Sequence, residues 1–252
     1  RFNLDKPVPE QFALYLKNLS HGDFGVSAKT GRDIKTTIFE SFKVSAKLGG
    51  MAIITALIFG LIFGSIAALT RNKLPDRLII FFSTLFTSLP SFVFASLLLL
   101  VFCVTLKWIP VWDPNNPNYL LPVIALSAYP MAYITRLTKT SMLDVMGQDY
   151  VRTARAKGVA KLKVIFKHTL RNALIPVVTY VGPMTASILT GSLVVEKIFT
   201  IGGLGAKFVE AITNRDYPLI MGTTIFLAIL MVTMNLITDI VYKAIDPRIK
   251  LD

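Results

Sequence analysis

The side chains of this 252-residue chain that could do chemistry fall into one basic run and two rows of small and hydroxyl residues. The run is Asp149-Tyr150-Val151-Arg152-Thr153-Ala154-Arg155-Ala156-Lys157-Gly158-Val159-Ala160. Ala154 and Gly158 are four apart, so a helix over 149–160 stacks them on one face where another backbone can come close, with Arg155 and Lys157 flanking it. Two chemistries suit such a face equally: docking into an acid-rimmed cleft on a soluble protein, or contact with anionic lipid headgroups. Nucleic acid suits it less, because apolar segments pin the run at both ends. The hydroxyl rows are Thr84, Thr87, Ser88 and Ser91, at i, i+3, i+4 and i+7, and a second face carrying Thr179, Gly182, Pro183, Ala186 and Thr190. On apolar helices such rows serve either an aqueous path or close helix packing.

No catalytic constellation accompanies them. The chain lacks a glycine-rich phosphate loop ending in Gly-Lys, a His-Glu-x-x-His zinc helix, a Gly-x-Ser-x-Gly elbow and a Cys-x-x-Cys pair. The glycines Gly202, Gly203 and Gly205 follow an apolar run and lack the third member of a dinucleotide fingerprint, so they read as a loop. Cys103 stands alone, which rules out an internal disulfide and a cysteine zinc site. No residue is assigned to catalysis or to a metal.

The elements that must position these residues follow from composition. Hydrophobic residues make up 53% and charged ones 17%, yet the net charge is +12 and the mean hydropathy +0.59. A soluble domain and a disordered tail are both excluded. Runs long enough for a bilayer core of roughly 30 Å are Leu48–Thr70, Leu78–Leu106 with Pro90 inside, Tyr119–Thr135, Ala173–Val195 and Tyr217–Tyr242. Backbone groups in lipid must be satisfied internally, so these predict an all-α polytopic bundle of five spans. Nine Lys and Arg lie in the loop 136–172, which places it in the cytoplasm. Residues 1–47 then form an outer lobe with an amphipathic helix carrying Phe12, Leu16 and Leu19, and 48–252 form the membrane domain with an outer loop over 196–216. His21 and His168 fall on opposite sides. An odd span count with an outer start predicts a further helix upstream, six in the full subunit. Lys107, Trp108, Trp112 and Tyr119 suit an interfacial anchor.

The run Tyr150–Gly158, followed by His168-Thr169-Leu170-Arg171-Asn172-Ala173-Leu174-Ile175-Pro176, resembles the cytoplasmic loop of inner-membrane permease subunits of peptide-importing ABC transporters. It is most similar to the oligopeptide, dipeptide and nickel group, on the side of the first, B-type permease. The likeness extends to Asp5-Lys6-Pro7-Val8-Pro9, Gly22-Asp23-Phe24-Gly25, Glu196-Lys197-Ile198-Phe199 with Gly203-Leu204-Gly205, and Asp246-Pro247-Arg248. Where the broader importer motif has Glu-Ala-Ala and Leu-Pro, this chain has Arg152-Thr153-Ala154 and Leu170-Arg171, which removes any acidic contact at 152.

The resemblance implies a type I ABC importer permease fold in a bacterial or archaeal cytoplasmic membrane. Asp149, Tyr150, Arg152, Thr153, Ala154, Arg155, Ala156, Lys157, Gly158 and Val159 would form a coupling helix inserted into an ATPase. Implied partners are a second, C-type permease, two ATP-binding subunits that hold ATP and Mg, and an extracytoplasmic substrate-binding protein; this chain would bind no cofactor. Thr84, Thr87, Ser88, Ser91, Thr179, Pro183 and Thr190 are the candidates for the translocation pathway. Oligopeptides or dipeptides are the expected substrate, with nickel or a metallophore as the alternative. An ATP-independent channel and a membrane scaffold are the readings of another class.

Overall fold

The computed structural model describes residues 6–189 and 193–245; Asp5, Thr190 and Asp246-Pro247-Arg248 lie outside the described residues. Its helices are α1 (Val8–Ser20), α2 (Ile34–Leu69), α3 (Leu74–Ser88) and α4 (Ser91–Leu98), the last continuing as a π-helical turn over Leu99–Thr105. Then come α5 (Leu120–Met146), α6 (Asp149–Ala156), α7 (Lys161–Lys163), a second π-helical stretch Val164–Leu170, α8 (Arg171–Ala173) and α9 (Ile175–Leu189). After these stand α10 (Leu193–Ile198), α11 (Leu204–Thr213) and α12 (Tyr217–Ile245). Among the described residues the only β pairing is an isolated bridge between Val26 and Asp33. The protein is an all-α membrane bundle.

Four stretches are long and apolar enough to cross a bilayer: α2, α5, Ile175–Ile198 and Tyr217–Ile240. The remaining expected span, Leu78–Leu106, is broken. α3 and α4 meet at 105°, because Pro90 has no N–H to continue the ladder and forces Leu89 into an extended conformation (ψ 128°). Ser91 therefore begins a new helix and does not extend the row of Thr84, Thr87 and Ser88; the i, i+7 relation fails there. α2 starts ahead of the expected span, at Ile34, where the Asp33 carboxylate accepts the Thr36 N–H at 2.7 Å. That bond holds the Asp33 carboxyl below the usual carboxylate range. The helix runs unbroken through position 47, so outer lobe and first span are continuous in α2. Likewise α5 carries on past Thr135 to Met146, making the start of the basic loop a helical extension.

What holds the bundle is a seam of small residues on α2. Ser41, Ser45, Gly49, Ala52, Ala56, Gly60 and Gly64 are buried at intervals of three or four, which is one helical stripe. A Cβ on Gly60 would stand 2.7 Å from Ile134 Cγ2, and one on Gly64 would stand 2.6 Å from the Thr135 carbonyl oxygen. Neither helix has a strong hydrophobic reason to leave lipid for the other, so close backbone contact supplies the association.

Three apolar clusters stack along this seam and set the depth of every residue. Ala68, Met142 and Ala173 mark one end; Ala56, Ile134, Val177, Met184 and Ile188 the middle; Leu48, Leu121, Val195 and Phe199 the other end. The basic residues of 136–172 belong to the first end, called the inner end because the Lys and Arg count of the sequence assigns it to the cytoplasm. There the buried Asp76 carboxylate takes the Lys139 ammonium at 2.5 Å and the Asn72 N–H at 2.9 Å, pinning α3 to α5. Lys139 is thus already paired within the chain.

If the seam organises the bundle, Gly60→Leu and Gly64→Leu should each cost about 1–3 kcal/mol or more through overpacking. Thermal unfolding of detergent-purified protein should fall accordingly. Gly50→Leu, where an added Cβ meets nothing within 4 Å, should leave the melting curve in place.

Candidate functional site

At the inner end, α6 is a short, firmly seated projection. The sequence predicted a helix over 149–160; the helix stops at Ala156. Gly158, at φ +73°, ends it. Its N–H donates to the Arg155 carbonyl at 3.0 Å, and the Val159 N–H donates to the Ala154 carbonyl at 3.2 Å, a Schellman arrangement. Ala154 and Gly158 consequently do not share a helix face, which corrects the expected small-residue docking stripe. Ala154 turns inward with Val151 onto Val164, and Val159 joins the same cluster, supplying the apolar contact that accompanies such a cap. Gly158 faces open space.

The surface α6 presents is polar. Asp149, Tyr150, Arg152, Thr153, Arg155, Ala156 and Lys157 are exposed, whereas Val159 is half-buried. Arg152 lies 3.7 Å from Asp149, a solvent-exposed pair worth little, so Arg155 and Lys157 carry the net charge. The helix is fastened twice to the segment leading into α9. One fastening is the Val151–Ala154–Val164 packing; the other is the Asn172 Nδ2, which donates to the Tyr150 hydroxyl at 2.9 Å and to the His168 carbonyl at 3.2 Å. A push on α6 has a direct route into α9. His168 stands at this inner end and His21 follows α1 in the outer lobe.

The expected pathway residues are spread more widely. Thr84, Ser88 and Ser91 are exposed and Thr87 half-buried, its hydroxyl donating to the Ser83 and Thr84 carbonyls. Thr179 and Pro183 are exposed on α9, but Gly182 and Ala186 pack inward, and a Cβ at Gly182 would run into the Thr238 side chain of α12. The second row is therefore split between a packing face and an open one.

The outer end carries a site whose residues the sequence marked only as a block of the family likeness, with no role for the carboxylate. Glu196 is 1% exposed; its carboxylate accepts the Ser45 hydroxyl at 2.7 Å and the Ala206 N–H at 3.1 Å. Ser45 in turn accepts the Leu204 N–H at 2.8 Å. A Cβ on Gly203 would stand 2.4 Å from Glu196 Oε2, so the loop glycines exist to admit this carboxylate at the N-terminus of α11. Asp216 does the same for α12, accepting the Ser27 hydroxyl, the Ala28 N–H at 3.1 Å and the Leu219 N–H at 3.4 Å. The spacing Glu196…Gly203-x-Gly205 was the available signal. Among the described residues no cluster of His, Cys, Asp or Glu could hold a metal.

Residues 60–251 match the family model described as binding-protein-dependent transport system inner membrane component. The chain is 48% identical over 252 residues to the dipeptide transport system permease protein DppB of Bacillus subtilis, covering 99% of this chain and 82% of that protein. It is 41% identical over 254 residues to the oligopeptide transport system permease protein OppB of Haemophilus influenzae, with 99% and 83% covered. Among solved structures it resembles an amino acid ABC transporter, with a TM-score of 0.66 at 13% identity, covering 91% of this chain and 98% of that one. The last likeness is one of fold.

The end of α6 offers a test of the local geometry. Gly158→Val should cost about 1–2 kcal/mol from the left-handed backbone alone, and limited proteolysis of inside-out vesicles should then cut faster near 157–160. Gly158→Asn, which tolerates that conformation, should be cut at the original rate. At the outer end Glu196→Ala strands the Ser45 hydroxyl and the Ala206 N–H, at about 1–3 kcal/mol each, and should lower the melting temperature more than the exposed Glu210→Ala.

Proposed function

We propose a working cycle for this chain, which belongs to the family of binding-protein-dependent transport system inner membrane components: it is the B-type permease of a peptide importer. Short peptides are the substrate class, on the strength of dipeptide and oligopeptide permease relatives that match nearly the whole chain. A second, C-type permease completes the pathway. Two ATP-binding subunits on the cytoplasmic side hold ATP and Mg and do the hydrolysis, and an extracytoplasmic binding protein delivers the peptide. The membrane is the bacterial or archaeal cytoplasmic membrane.

The observation that carries the mechanism is the double fastening of α6. A coupling element must be exposed enough to enter its partner and rigid enough to pass on displacement. α6 has a polar outer face with Arg155 and Lys157, and an inner face locked to Val164 and Asn172. When the ATPase subunits close on ATP, α6 would move with them and carry the base of α9. α9 in turn meshes with α12 at Gly182 and Thr238, so the displacement would spread across the bundle as a rigid-body rearrangement of alternating access. The broken α3–α4 pair is tied to that block through α5, where Lys139 meets the buried Asp76 carboxylate.

Charge steers the docking of α6. In the reconstituted four-subunit transporter, Arg155→Glu combined with Lys157→Glu should lower binding-protein-stimulated ATP hydrolysis about tenfold or more, as expected for an interface that depends on complementary charge. Peptide uptake should fall with it. Accumulation of peptide by a complex whose ATPase subunits cannot hydrolyse ATP would sink the reading of an ATP-driven importer.

A further inference from the structure

Between α5 and α9 lies a cleft of about 270 Å³, lined by Tyr129, Pro130, Tyr180, Pro183, Met184 and Ser187 among others. A third tyrosine, Tyr133, stacks on Tyr180 with ring centroids 4.3 Å apart. The cleft lies midway along the bundle: Tyr180 packs on the central cluster of Ala56, Ile134 and Met184, between the inner and outer clusters. Tyr129 is 48% and Tyr133 37% exposed, and among the described residues the three phenolic hydroxyls make no hydrogen bond within the chain.

Tyrosines normally sit at the membrane boundary, where the hydroxyl reaches water. Three of them at mid-depth with open hydroxyls would be costly against hydrocarbon, where nothing can accept or donate. The two prolines add acceptors. Pro130 and Pro183 have no N–H to offer the carbonyls of Leu126 and Thr179, so each helix has a carbonyl released from its ladder at this level. No residue lining the cleft carries a formal charge.

Resting on the permease reading above, we propose that this cleft is where the passing peptide is held in mid-membrane, through its backbone and without regard to its charge. A peptide backbone presents N–H donors and C=O acceptors in alternation. A phenolic hydroxyl can pair with either, a released carbonyl with the N–H groups, and the ring faces receive side chains of any kind. Neutral, individually weak contacts also let the peptide leave, which a buried charge would not. Pro183 already belonged to the expected pathway row; the tyrosines extend it onto α5.

The test uses the assembled transporter in liposomes, with neutral, lysine-containing and aspartate-containing tripeptides supplied on its binding protein. Tyr129→Glu puts one negative charge in the cleft and should shift the uptake ratio of lysine over aspartate peptides by about tenfold. An unchanged ratio in an assembled complex overturns the proposal. Tyr180→Phe keeps the shape and removes one hydroxyl; it should slow uptake of all three peptides to a similar degree, about three- to tenfold, with peptide affinity of the binding protein unaltered. Normal uptake by Tyr180→Phe, with Tyr129→Glu failing to co-purify with the second permease, would make the cleft a subunit-packing face and overturn the proposal. A wild-type transporter that moves none of the peptides would overturn the functional reading itself, whereas peptide transport indifferent to both substitutions removes the cleft alone.

Discussion

Everything in this bundle depends on how near α2 can come to α5. In lipid, apolar side chains gain nothing by exchanging hydrocarbon for one another, so two helices stay together through close packing and whatever polar contacts it permits. The glycines at 60 and 64 bring the α2 backbone against Ile134 and the Thr135 carbonyl. With that distance set, Ala56 and Ile134 form the floor on which Val177, Met184 and Ile188 of α9 rest. The position of α9 then decides where Thr238 of α12 can sit, because Gly182 leaves room for it and for little else.

Buried ionic and polar contacts fix the ends of the same framework. At the inner end Asp76 and Lys139 join α3 to α5. At the outer end Glu196 and Asp216 each take the free N–H groups at the start of a helix and tie them to a residue far away in sequence, Ser45 in one case and Ser27 in the other. A buried pair of this kind is weak evidence of net stability, since desolvation offsets the attraction. Its effect is directional: a carboxylate in such a pocket accepts from only one set of donors, so the loops that carry it cannot slide. The outer helices α10 and α11 are therefore held to α2, while α6 at the opposite end is held to the base of α9.

In the proposed cycle this arrangement would separate the parts that transmit movement from the parts that receive it. α6 is attached by an apolar cluster and one side-chain hydrogen bond, enough to pass displacement on and small enough to leave its outer face free. The break at Pro90 does the reverse: a 105° corner cannot transmit an axial push. In the proposed cycle, inner-end displacement would pass through α9, which carries one wall of the tyrosine cleft.

The membrane class and the position of the basic projection were legible in the residues, because apolar run length and Lys/Arg placement are one-dimensional quantities. The family blocks around 150–176 and 196–205 were legible too, as resemblance. Other features needed three dimensions. Nothing in the sequence names Ile134 and Thr135 as the surfaces that Gly60 and Gly64 meet. Gly158 looked like a member of a helix face because four-residue spacing was counted along a helix that in fact ends at Ala156, and its left-handed φ appears only when the chain folds back to bury Val151, Ala154 and Val159. Pro90 was visible inside an apolar run, and whether it would kink or break the helix depended on the packing of both halves against α5. The tyrosines at 129, 133 and 180 come from two helices, so their juxtaposition depends on the register of α5 against α9. Sequence determines which surfaces can tolerate lipid, water or close backbone contact; only the tertiary structure decides which of them meet, because that choice is made jointly by several helices.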